Sequence, residues 1–210
     1  MPANAENKTT NKRSYTLAAL FAAIVVLATF VIMAYSKYIL SEQSHTTDKG
    51  LRLAERYGYA MTFADRLHEG AESLLVAKTE TERIRAVKAI AEGRLAGGET
   101  LGLFIEAAHL DSGLSRTEAA KPIMEAMNAV VGAESPLATI GEHEGPLTEE
   151  ETVFLTNVRD GAAKMQETLF RFRPPSGEAG YRQMITVGEW RAPALEASKQ
   201  LEELADVLAK

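Results

Sequence analysis

From Ser14 to Ser36 the chain carries no charge, and nothing more polar than Ser, Thr or Tyr interrupts SYTLAALFAAIVVLATFVIMAYS. At ~1.5 Å per residue this stretch makes a helix of roughly 34 Å, enough to cross a hydrocarbon core of about 30 Å with some tilt. Tyr15, Tyr35 and Tyr38 stand where aromatic rings favour the headgroup layer, and Lys8, Lys12 and Arg13 gather on the N-terminal side. By the positive-inside rule the N-terminus is expected in the cytoplasm and the rest of the chain outside it. A cleaved leader has a shorter apolar region, about 7–15 residues, and the small-x-small run here is only Ala34-Tyr35-Ser36, so a retained anchor is expected.

Beyond the anchor the apolar positions take on helical spacing. Leu53, Tyr57, Ala60, Ala64, Leu67, Ala71 and Leu74 alternate by four and three, the stripe of a helix packed on another helix over roughly 48–78. Thr46, Thr47 and Asp48 offer caps for a fresh start, although little before Gly50 would end a helix arriving from the anchor. The pattern pauses at Lys78 to Thr81. Ile84, Val87, Ala91 and Leu95 then resume it, followed by Leu101, Ile105 and Ala108. A second helix is expected at about 81–110, open to a break at Gly97-Gly98, because each helical Gly costs about 1 kcal/mol relative to Ala.

Asp111-Ser112-Gly113 reads as a turn, and Ser115-x-x-Glu118 as a capping box that starts a third helix. Pro122 lies too deep for the first turn and predicts a kink or a later start. Ile123, Met124, Met127, Val130 and Val131 form the expected buried face. Residues 132–146 hold turn formers without periodicity and read as loop. Thr148-x-x-Glu151 is a second capping box, with acidic residues against the positive end of the helix dipole, for a helix to about Phe172 that Pro174-Pro175 stop. The remainder, about 178–209, reads as helix interrupted near Gly188 or Pro193, with Leu195, Leu201, Leu204, Val207 and Leu208 on one side. No strand-like alternation of useful length occurs.

The expected fold is therefore all-α: a cytoplasmic disordered segment (1–13), a transmembrane helix (14–36), a juxtamembrane connection (37–47), and an extracytoplasmic antiparallel bundle of four to five helices (48–210). Residues 41–210 carry 19 Lys and Arg against 28 Asp and Glu, and no basic stripe with interleaved aromatics, which argues against nucleic acid as a partner. The chain has no Cys, so neither disulfides nor thiolate metal sites enter the account.

Chemistry is weakly signalled. No phosphate-binding loop and no HExxH motif are present. Asp65-x-x-His68 and Glu106-x-x-His109 have the spacing by which helical bundles hold paired metals. In a hairpin turning near Thr79, however, residue 68 lies opposite about residue 90, and the two histidines stand roughly 28 Å apart at ~1.5 Å per residue. The same register brings Glu106, His109 and Asp111 beside His45 and Asp48, a low-priority divalent-cation candidate. Gly98 and Gly102, four apart, and Trp190, the one Trp, are the candidate interface residues. No catalytic residue and no cofactor are expected.

An N-terminal anchor followed by helical hairpins resembles, in arrangement, the extracytoplasmic modules of bacterial chemoreceptors and sensor kinases, and more faintly the anchored helical region of proteins that assist spore germination. No motif carries the likeness, and neither a second membrane helix nor a cytoplasmic output domain is found. The expectation is an accessory, assembly or sensing protein of a bacterial envelope, not an enzyme. Its partners would be the membrane, an envelope protein or a second copy; the alternative is a module binding a small ligand or cation.

Overall fold

The computed structural model describes residues 6–141, 143 and 145–209. The protein is all-helical, 84% helix, and no strand occurs among the described residues. Six α-helices are assigned: α1 (Glu6–Val76), α2 (Glu80–Ser112), α3 (Arg116–Val131), α4 (Glu149–Leu169), α5 (Gly177–Thr186) and α6 (Arg191–Leu208), with a 3₁₀ turn at Pro136–Ala138. Residues 1–46 and 47–210 form separate compact units. Of the segment expected to be disordered, residues 1–5 lie outside the described residues and α1 is assigned from Glu6; residues 37–47 are helical.

In the first unit α1 is long and apolar enough to cross a membrane. Its large apolar side chains, from Tyr15 through Phe21 and Phe30 to Leu40, are exposed, and none of its apolar window is buried.

In the second unit α1 and α2 form an antiparallel hairpin. Their register shows where glycines admit the opposing helix: Gly70 against Ile90, Gly93 against Leu67, and Gly97 against Phe63. The predicted α1 stripe from Leu53 to Leu74 is buried throughout. α4 runs antiparallel to α1, tied by Tyr57 to Leu169, Asp65 to Gln166 and His68 to Arg159. α6 fills the remaining space, packing on α2, α3 and α4, with Ala194, Ala197 and Ser198 buried so that its backbone comes close.

Three helices start at capping boxes, at Thr79/Glu82, Ser115/Glu118 and Thr148/Glu151. In each, the hydroxyl accepts from a backbone N–H three residues on while the glutamate accepts from the cap's own N–H, so two otherwise orphaned donors are satisfied. The first of these places the α2 start at Glu80. Pro122 lies inside α3 and Pro193 in the first turn of α6.

Several expectations are corrected. α2 is unbroken at Gly97-Gly98, because Gly97 faces inward between Phe63 and Met127 and close packing outweighs the propensity cost. The buried face of α2 is not the one built on Ile84, Ala91 and Leu95. It runs instead through Ala86, Ile90, Gly93, Ala96, Gly97, Thr100, Leu103, Phe104 and Ala107, while Ile84 is 62% and Leu95 83% exposed. On α3, Met124 points outward. Within 132–146, Ser135, Leu137 and Ile140 are buried under a 3₁₀ turn capped by the Ser135 hydroxyl. The interruption expected near Gly188 or Pro193 falls at Gly188, whose φ of 72° suits glycine, and with α1 running through both units the second holds six helical segments among the described residues where four to five were expected.

Candidate functional site

At the hairpin end of the bundle a cleft of about 880 Å³ opens between the start of α2 and the α3–α4 connection. Ala77, Ile84, Val87 and Pro146 supply apolar wall, and Lys78 and Glu80 the charged rim. Arg83 pins the connection in place by donating to the carbonyls of His143 (2.8 Å) and Gly145. The His143 Nε2 lies 2.8 and 2.9 Å from the two Glu151 oxygens, so the α4 cap carboxylate also orients the loop. A second, smaller cleft of about 480 Å³ lies near the end of α2, between Leu110 and Asp111 on one side and Gly188, Arg191 and Leu195 on the other. None of Arg83, His143 and Glu151 was singled out as a group from sequence, because they come from two helices and a loop with no shared spacing.

The carboxylates with altered acidity belong largely to helix caps. Glu82 is lowered by hydrogen bonds from the Lys78 and Thr79 backbone, and Glu118 by those from Ser115. For Glu151, burial raises the value, but hydrogen bonds from Thr148 and His143 and the nearby imidazole together outweigh it and leave it lowered. Glu202 is raised, by burial first and then by the charge of Asp206, against the opposing pull of Lys199. Lowered cap carboxylates are what two or more hydrogen-bond donors on one carboxylate produce, and they mark helix starts.

Two of the low-priority cation candidates are held by local partners. Glu106 pairs with Arg116 at 2.7 Å, the His109 Nδ1 lies 2.6 Å from the Leu114 carbonyl, and Asp111 lines the second cleft. His45 belongs to the first unit and Asp48 to the second. Among the described residues no group of three or more His, Asp or Glu is placed to hold a metal ion.

Of the candidate interface residues, Trp190 is a packing anchor: it is 2% exposed, and its indole N–H donates to the Met184 carbonyl at 2.9 Å, tying α6 to α5. Gly102 lies under the Arg56 guanidinium, 3.2 Å from where a Cβ would stand. Gly98 faces open space beside the exposed Leu95. No family model, curated protein or solved structure matches the chain.

Proposed function

We propose that this protein is a membrane-anchored interaction component of a bacterial envelope, with its bundle outside the cytoplasm, serving an accessory, assembly or sensing role. The observation that carries the reading is the exposed apolar stretch of α1 from Tyr15 to Leu40. Burying one large apolar side chain is worth about 1.5–3 kcal/mol, so leaving the whole stretch in water would cost more than a domain's typical stability of about 5–15 kcal/mol. A bilayer is the medium such a helix matches in length and composition. The interaction role draws on the outer face of α2, where Ile84, Ala91 and Leu95 are exposed in line.

The test is crosslinking in intact cells, followed by purification through a C-terminal tag and mass spectrometry, with a protease-accessibility assay for topology. A stoichiometric envelope partner, together with a bundle cleaved by external protease, supports the reading. A protein found in the soluble fraction, or a bundle protected on the cytoplasmic side, overturns it. The hairpin-end cleft favours a second reading, a small-ligand or cation-binding module, which predicts ligand-dependent stabilisation that is lost in Arg83→Ala.

A further inference from the structure

The α1–α2 register, Phe63 to Gly97 and Leu67 to Gly93, sets Leu110 at the end of α2 across from Gly50, near the start of the second unit. α5 closes over the same end. Gly50 leaves room there for the Tyr181 carbonyl, and the Arg182 guanidinium donates to the Thr47 hydroxyl at 3.2 Å. The second cleft joins Leu110 to Gly188, Ala192 and Leu195. One end of the bundle is thus built from the start of α1 in this unit, the α2–α3 connection, α5 and the turn at Gly188. The α1–α2 turn and the α3–α4 connection build the other, about 40 Å away, the length of helix from Gly50 to Val76 at ~1.5 Å per residue.

The two ends differ in charge. Residues 47–52, 110–118 and 170–191, at the first, hold seven Lys and Arg against five Asp and Glu. Residues 77–83 and 132–151, at the second, hold two against eight. Leu110, Leu114 and Val187 are exposed at the first end, and Lys49, Arg173 and Arg191 are exposed with them. The second end exposes Val76 and Ile84, but amid acidic residues.

We propose that the first end docks on the bilayer that holds the apolar stretch of α1, with Leu110, Leu114 and Val187 entering the headgroup layer and Lys49, Arg173 and Arg191 meeting lipid phosphates. The inference rests on the anchored reading above and adds a second contact with the same membrane. Chain length selects the occupant. Thr47 follows Leu40, the last apolar residue of the exposed stretch, by seven residues. Even fully extended, at ~3.5 Å per residue, that tether keeps Thr47 within about 25 Å of where the stretch ends, and as helix it spans about 10 Å. A tethered surface is present at high effective concentration, so a few apolar side chains and cations suffice to hold it. An anionic headgroup layer also attracts the first end and repels the second.

The chain has no Cys, so single thiols can carry reporters. Full-length Leu114→Cys, Val187→Cys, Ala133→Cys and Phe30→Cys proteins, each bearing one fluorophore, would be reconstituted into vesicles of phosphatidylcholine and phosphatidylglycerol. The vesicles would contain lipid with a nitroxide in the headgroup or in mid-chain. Headgroup nitroxide is expected to quench positions 114 and 187 and to leave 133, at the opposite end, unquenched. Adding Leu110→Asp and Arg173→Glu should abolish the quenching at 114 and 187 while circular dichroism stays unchanged. Quenching at 114 and 187 no greater than at 133, with position 30 quenched from mid-chain, would overturn the docking and leave the anchor standing. An unquenched reporter at position 30 would overturn the anchor and the docking with it. Disulfide-linked dimers of the unlabelled Leu114→Cys or Val187→Cys protein would assign this end to a second copy and overturn the lipid surface as its occupant.

Discussion

The Tyr57 hydroxyl donates to the Leu169 carbonyl at 2.8 Å, joining the middle of the α1 hairpin arm to the last turn of α4. The carbonyl is one of those that a helix C-terminus leaves without an intrahelical partner, and the ring that brings the hydroxyl is fully buried, edge-on to Phe172 at 5.0 Å. Burial pushes the phenol above its ordinary value, which keeps it a donor at any physiological pH. Tyr57→Phe retains the ring and removes the hydroxyl's hydrogen bond, leaving the carbonyl with the Phe172 N–H at 3.3 Å. It is expected to cost about 0.5–1.5 kcal/mol, read as a lower midpoint in urea with an unchanged slope.

Leu67 is fully buried where α2 comes close at Gly93. Leu67→Asp puts a carboxylate there with no partner and is expected to unfold the bundle, by the steep cost of an unpaired buried charge. His109→Ala, on a partly exposed edge, is expected to leave the fold intact. Circular dichroism melting of both variants decides the matter, and unchanged helicity and melting in Leu67→Asp would show the α1 core stripe to be misplaced.

Two glycines on α1 should respond oppositely to the same change. At Gly50 a Cβ would overlap the Tyr181 carbonyl, whereas at Gly58 nothing lies within 4 Å. Gly58→Ala is expected to stabilise by up to about 1 kcal/mol through helix propensity, while Gly50→Ala should displace α5 and lower the melting temperature. Equal effects would mean that α5 does not dock on α1.

Acid should loosen the helix starts. Glu82, Glu118 and Glu151 are held below their ordinary value of 4.5, so their contribution is fully present above it and is lost as pH falls through the depressed folded values. Thermal midpoints should be flat from neutral pH to about 5 and fall below the ordinary carboxylate range; the fall should be shallower once Thr79, Ser115 and Thr148 are all alanine. Glu202 has the opposite sign. Its raised value penalises the charged form, so Glu202→Gln should match or exceed the parent at pH 7 and lose any advantage in acid.

Where a feature depended on local chemistry, the sequence carried it. The boxes at Ser115 and Thr148, the α1 stripe and the interruption at Gly188 are each written in a few adjacent residues. The box at Thr79 was equally written, in Thr79-x-x-Glu82, but the pause in apolar residues drew the predicted start one residue too far in. Choosing between two faces of α2 required tertiary knowledge, because Gly93, Gly97 and Thr100 interrupt the apolar pattern of the core face where Ala91 and Leu95 continue that of the outer one. The cleft drew on Arg83, His143 and Glu151, which only the fold of the α3–α4 connection brings together.

α6 touches α2, α3 and α4, yet every one of them is synthesised before it. A nascent chain that has reached Trp190 already holds all three capping boxes and most of its apolar residues, but has nothing to fill the space where Ala194, Ala197, Leu201 and Leu204 will lie. Folding of the bundle is therefore expected to wait for its final eighteen-residue helix, with the earlier helices formed but unsealed and exposed to chaperones and proteases until then.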